Sequence, residues 1–108
     1  MSFVVKIVQP CGILDRAKAE PLRKDIINQV ENGADIVVVD LQNVAFMDSS
    51  GLAAIVLALK TVTAGGSQMW LVSLNEQVKT LFELTSMDRV FKIYANRDAF
   101  NQAMLSTK

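Results

Sequence analysis

The sequence DIVVVDL at residues 35–41 decides the fold class of this chain. Residues 36–39 within it are all apolar and do not alternate with polar residues, which is typical of a central strand covered on both faces. Residues 3–9 read FVVKIVQ and stop at Pro10, which predicts an earlier strand that ends at the proline. Two further strands are predicted at residues 68–74 and 90–94.

Helical patterns separate these strands. Apolar residues recur at helical spacing over about residues 17–32, and Pro21, which a helix tolerates best in its first turn, places the start near residues 18–20. Further helices are predicted over residues 50–64, over residues 75–85 with Asn75 as the cap, and after Asn96 as a second cap. Residues 11–15 and 42–47 are predicted as a loop and a short connection.

Strands and helices therefore alternate from one end of the chain to the other. This alternation predicts an α/β fold with right-handed crossovers. We expect a single domain over residues 1–108, with a mostly parallel sheet of about four to five strands and about four helices packed on it.

Composition excludes several classes of function. The chain has 108 residues, of which 51% are hydrophobic, and its 11 basic and 11 acidic residues give a formal net charge of zero. The sequence therefore has no excess of basic residues, which nucleic-acid binders and proteins of the membrane surface typically show. There is no histidine, which excludes histidine-dependent catalysis and histidine-ligated zinc. We therefore predict no catalytic residue, no metal, no cofactor and no enzymatic activity.

The location is predicted from the same residues. The single cysteine, Cys11, has no partner in the chain for a disulfide, and this fits a reducing compartment. No secretory signal and no stretch long enough to cross a membrane is visible. We expect a cytoplasmic protein.

The residues FMDSSGL at positions 46–52 connect the predicted central strand to the next helix, at the sheet edge where α/β proteins tend to bind ligands and partners. Asp48 or Ser49 can cap the helix, although capping explains one such residue and not three in a row. A seryl hydroxyl at a helix start is also accessible to phosphorylation. Helix-end amides would favour the added phosphate, and Asp48 would repel it. Both a plain cap and a phosphorylation switch fit these residues.

This stretch resembles the signature of the STAS domain family, in particular of the bacterial anti-sigma factor antagonists. The resemblance covers nearly the whole chain: residues 12–15 resemble the family's loop after the first main strand, and residues 36–41 resemble its central strand. Residues 65–72 resemble the next helix end and strand. Members often carry a short extra strand before the first main strand, and this sequence holds little of it. The resemblance therefore does not determine how the sheet ends beside the first main strand, or whether that edge makes a dimer contact. The oligomeric state stays open.

The resemblance implies a partner switch. An unphosphorylated antagonist binds an anti-sigma factor that is also a serine kinase, the kinase phosphorylates it and releases it, and a PP2C-type phosphatase reverses the change. The resemblance implies Ser49 as the acceptor, with Ser50 as the second choice. The residues implied to contact the partner are Asp15, Asp48, Ser49, Ser50, Gly51 and Leu52.

Two alternative functions remain open at this point. Asp40 closes an apolar strand, as the acceptor aspartate of a receiver-like domain would, but the first strand ends without the acidic pair that holds Mg²⁺ in such domains. Some STAS domains bind nucleotides, and the helix start after Asp48 suits a phosphate group, so a ligand-binding signalling module is the other alternative.

Overall fold

The computed structural model of the chain describes residues 3–106. Met1, Ser2, Thr107 and Lys108, which the predicted domain includes, lie outside the described residues. The strands are β1 Val5–Val8, β2 Gly12–Leu14, β3 Ile36–Asp40, β4 Val44–Met47, β5 Gln68–Val72 and β6 Lys92–Tyr94. The helices are α1 Arg16–Glu31, α2 Ser49–Ala64, α3 Glu76–Leu84 and α4 Arg97–Ser106, with a 3-10 turn at Met87–Arg89.

The main sheet has four parallel strands in the order β1-β3-β5-β6. Strand β3 lies inside it, and all five of its residues are buried. Val37 and Val39 belong to the larger core, to which α1, α2 and α3 contribute, whereas Ile36 and Val38 share a second core with Phe100 of α4. The predictions of an α/β fold and of a central strand covered on both faces are confirmed.

A second, smaller sheet was not predicted. Strands β2 and β4 pair in parallel and form a separate two-stranded sheet. The loop predicted at residues 11–15 and the connection predicted at residues 42–47 are therefore wrong in part, since each contains a strand. These strands are only three and four residues long, and they pair across a large distance in the sequence, so the local pattern does not indicate them.

Helix α1 begins earlier than its proline suggests. Its first residue is Arg16 rather than a residue in the range 18–20, because the Asp15 carboxylate accepts a hydrogen bond from the Ala17 amide (3.1 Å) and caps the helix there. Pro21 consequently lies inside the helix. It removes one backbone donor from the helix, so the Ala17 carbonyl lacks the hydrogen bond that residue 21 would otherwise donate to it.

Candidate functional site

The candidate site lies at the carboxyl end of the small sheet. Leu14 of β2 and Met47 of β4 are partners in the strand register, so the next residues, Asp15 and Asp48, leave the sheet side by side. Each of them is the N-cap of a long helix: Asp15 caps α1, and Asp48 caps α2. The parallel pairing thus places two helix starts together. This explains why the motif at residues 46–52 lies next to Asp15, which comes much earlier in the chain.

The cap of α2 uses the amides that were expected to favour a phosphate. The Asp48 carboxylate accepts from the backbone N–H of Ser50 (2.9 Å) and of Gly51 (3.1 Å). These two donors are already engaged by a negative charge. The expectation that the helix-end amides stabilise a phosphate therefore does not hold for these two groups.

Ser49 is the accessible hydroxyl of the motif. It is the first residue of α2, and among residues 47–52 it is the only exposed one. Ser50, Asp48 and Asp15 are half-buried. An enzyme that modifies this segment therefore meets the Ser49 hydroxyl first.

Gly51 and Leu52 lie beneath the surface. Leu52 is 6% exposed and packs in the larger core, and Gly51 is buried. The structure gives both residues a packing role, and Asp15, Asp48, Ser49 and Ser50 are the more exposed members of the predicted set.

Gly51 is required by the close approach of α2 to β2. A Cβ atom on Gly51 would lie 2.3 Å from the carbonyl oxygen of Leu14 and 2.9 Å from the Leu14 Cβ. No side chain fits at such distances unless the backbone moves. The glycine of the motif therefore lets the start of α2 contact the strand that precedes Asp15.

Two polar side chains at the start of α3, its cap Asn75 and Gln77, bond to the edge of β4 that no strand pairs with, and the sequence does not indicate them as part of the site. Gln77 accepts from the Met47 N–H (2.9 Å) and donates to the Met47 carbonyl (2.8 Å), as a neighbouring strand residue would. Asn75 donates to the carbonyls of Val44 (3.0 Å) and Ala45 (3.2 Å) while its Oδ1 caps α3. The cap was predicted from the residue type, but no local signal indicates these contacts with β4.

An apolar surface next to the motif was also missed. Ile13 of β2 and Phe46 of β4 are register partners on the outer face of the small sheet, and they are 52% and 45% exposed. Large apolar side chains paired on an open surface are typical of interaction sites. No local signal indicates this pair, because strands β2 and β4 are too short to show a period in the sequence.

Asp40 has a structural role. Its side chain is 1% exposed, and it accepts hydrogen bonds from Arg97 Nε (2.7 Å), Gln9 Nε2 (3.2 Å) and the Gln42 amide (3.0 Å). A carboxylate that is buried and bonded in this way is not open to an incoming phosphoryl group. The alternative of a receiver-like domain phosphorylated on Asp40 is therefore not supported.

Within residues 3–106, no group of three or more cysteine, aspartate or glutamate side chains is arranged to hold a metal ion. None of the helices in the same range has the length and apolar character needed to cross a bilayer.

Comparison with known proteins identifies relatives of this chain. The sequence profile of the STAS domain matches residues 4–99. The anti-sigma-B factor antagonist of Bacillus subtilis is 32% identical over 91 residues, which are 84% of this chain and 83% of that protein. A crystal structure of the Thermotoga maritima protein TM1081 superposes with a TM-score of 0.81 at 31% identity, and the match covers 94% of this chain and 86% of that one.

A more distant solved protein shares the fold. SpoIIAA, described as an anti-sigma factor antagonist, superposes in its unphosphorylated form with a TM-score of 0.75 at 18% identity, over 95% of this chain and 90% of that chain. Its phosphorylated form superposes with a TM-score of 0.68 at 17% identity, over 94% and 93% of the two chains.

Proposed function

Since this chain belongs to the STAS domain family, we propose that it is an anti-sigma factor antagonist that is switched by phosphorylation of Ser49. In its unmodified form it binds an anti-sigma factor that is also a serine kinase. Phosphorylation by that kinase releases it, and a PP2C-type phosphatase restores the binding form. The switch operates in the cytoplasm, where sigma factors act, and the chain itself catalyses no reaction.

The observation that carries the proposal is the position of Ser49. Its side chain is exposed, while the residues on both sides are tied to the fold by the Asp48 cap and by the β4 contacts. A kinase needs an accessible hydroxyl whose backbone is held in place, because positioning lowers the barrier to phosphoryl transfer. SpoIIAA, which shares the fold, adds support, since it has been solved in both an unphosphorylated and a phosphorylated form.

Charge and apolar surface together explain how a phosphate would release the partner. The phosphate adds about −1.5 to −2 charges at neutral pH. It would stand at the start of α2, next to the half-buried Asp48 carboxylate and close in sequence to the exposed Phe46. A partner that covers Ser49 would have to bury this charge without the Ser50 and Gly51 amides, which Asp48 already holds. The complex is therefore weakened by desolvation and by repulsion.

The proposal is tested by capture and release. A Ser49→Ala variant, used as bait in a lysate of the native host, is expected to retain the serine kinase, which mass spectrometry identifies. The purified kinase is then bound to the wild type, Ser49→Ala and Ser50→Ala, and ATP is added.

We expect ATP to release the wild type and Ser50→Ala while Ser49→Ala stays bound. Release of Ser49→Ala at the wild-type rate would contradict the assignment of Ser49. Retention of the wild type and Ser50→Ala after both are stoichiometrically phosphorylated would contradict the switch.

A further inference from the structure

Gln77 bonds both backbone groups of the residue two positions before Ser49. Its Oε1 accepts from the Met47 N–H (2.9 Å), and its Nε2 donates to the Met47 carbonyl (2.8 Å). Gln77 is half-buried in the first turn of α3, and the Met47 side chain is 0% exposed. One side chain of a different helix thus replaces the strand that β4 lacks on this edge.

The next residue is held from the opposite side. The Asp48 N–H donates to the Leu14 carbonyl of β2 (3.2 Å), and the Asp48 side chain caps α2. Consecutive residues are therefore tied to two different elements, Met47 to α3 and Asp48 to β2. After these two residues the chain enters α2 at Ser49, so the direction in which Ser49 leaves the sheet depends on both attachments.

The two attachments differ in whether they depend on the identity of a side chain. The bond to Leu14 is backbone to backbone, and any residue other than proline at position 48 can donate it. The bonds to Gln77 need a side chain with one donor and one acceptor in an amide arrangement, which only glutamine and asparagine supply, and asparagine is one methylene shorter. The identity of residue 77 is therefore chemically specified, although it lies far from Ser49 in the sequence.

We propose that Gln77 is a positioning residue for phosphoryl transfer to Ser49, an inference that rests on the proposed function. In that transfer the Ser49 Oγ forms a bond to the γ-phosphorus of ATP and the bond from that phosphorus to the β–γ bridging oxygen breaks. The hydroxyl proton passes to a base of the kinase, and ADP leaves. Gln77 takes no part in these bonds: it holds the acceptor segment in the orientation that the kinase engages.

The test compares Gln77→Met, which keeps the side-chain length and removes both hydrogen bonds, with Gln77→Glu, which keeps an acceptor and removes the donor. Gln102→Met, on the exposed face of α4, is the matched control. Amide hydrogen exchange, followed by NMR on the protein without any kinase, measures how strongly the backbone amides of residues 47–49 are protected. Steady-state kinetics with the captured kinase and ATP then give kcat and KM for each protein.

We expect exchange at residues 47–49 to rise at least tenfold in Gln77→Met, with exchange in β3 unchanged. We further expect kcat to fall at least fivefold, with KM within a factor of two. Gln77→Glu should lie between Gln77→Met and the wild type, and Gln102→Met should match the wild type.

The contrary outcomes are distinguishable. Wild-type kcat in Gln77→Met, with the wild type readily phosphorylated, would overturn the positioning role and leave the proposed function intact. A rise in exchange spread over the whole sheet would mean that Gln77 contributes only to general stability, and would also overturn it. A wild type that no host kinase phosphorylates would overturn the proposed function and this role with it.

Discussion

Gly51 and Leu14 approach each other so closely that a Cβ on Gly51 would lie 2.3 Å from the Leu14 carbonyl oxygen. The same carbonyl accepts the Asp48 N–H at 3.2 Å. One peptide oxygen of β2 therefore meets both the residue that caps α2 and the third residue of that helix. The contact explains how a short strand, which sequence patterns do not reveal, fixes the start of the helix that carries Ser49.

Replacing Gly51 by alanine should destabilise the fold. Because the added methyl group meets backbone and not a flexible side-chain end, we expect Gly51→Ala to lower the free energy of unfolding by about 2–3 kcal/mol. Chemical denaturation followed by circular dichroism measures it. Gly65→Ala is the matched control, since its Cβ would make only ordinary contacts, the nearest at 3.6 Å, and its φ is −83°. Equal stability of the two variants would contradict the steric account.

The ion pair between Arg97 and Asp40 should attach α4 to the sheet. Arg97→Met leaves the buried Asp40 carboxylate with only its bonds to Gln9 and Gln42, so we expect a loss of about 1–2 kcal/mol. The single tryptophan, Trp70, contacts Phe100 of α4 with ring centroids 5.0 Å apart, so its fluorescence should also change. Arg23→Met breaks the exposed ion pair with Glu20 and should alter neither the free energy of unfolding nor the fluorescence of Trp70.

The apolar pair on the small sheet should contribute to partner binding more than to stability. Phe46 is 45% exposed, so we expect Phe46→Ser to leave the unfolding midpoint nearly unchanged. Its affinity for the captured kinase should fall about tenfold or more, a loss of at least about 1.4 kcal/mol. Leu105→Ser removes a comparably exposed apolar side chain from α4 and should bind normally. An unchanged affinity of Phe46→Ser in calorimetry would exclude this face from the interface.

A carboxylate at position 49 should reproduce the phosphorylated state only in part. Aspartate carries about one negative charge, whereas phosphoserine carries about 1.5 to 2 and has three acceptor oxygens. We therefore expect Ser49→Asp to bind the kinase more weakly than Ser49→Ala and more strongly than the phosphorylated protein. Calorimetric titration of the three forms measures the order. Binding of Ser49→Asp as tight as that of Ser49→Ala would count against charge as the cause of release.

The features of the fold that have a local signal can be predicted from the sequence. The apolar run of β3 indicates a strand buried on both faces, and Asn75 and Asn96 were identified as caps from their residue type. Both caps are present, with bonds to the amides of Val78 (2.9 Å) and Ala99 (2.8 Å). These features depend on neighbouring residues only, and that is why they can be predicted.

The parts that were missed depend on contacts between distant residues. Strands β2 and β4 are too short to show a period, and they exist because they pair with each other. Gln77 sits at an ordinary helical position, and its role appears only where its amide meets Met47. The motif itself was recognised, but the burial of Gly51 and Leu52 follows from packing that no motif encodes.

The central claim is that Ser49 carries the phosphate, and mapping the modification on protein isolated from the native host tests it most directly. Trypsin releases residues 25–60 as one peptide, in which Ser49 and Ser50 are the only hydroxyl side chains. We predict a phosphopeptide whose fragment ions place the phosphate on Ser49 and whose abundance changes with growth or stress conditions. A phosphate placed on Ser50, or a peptide that stays unmodified under every condition tested, would contradict the account.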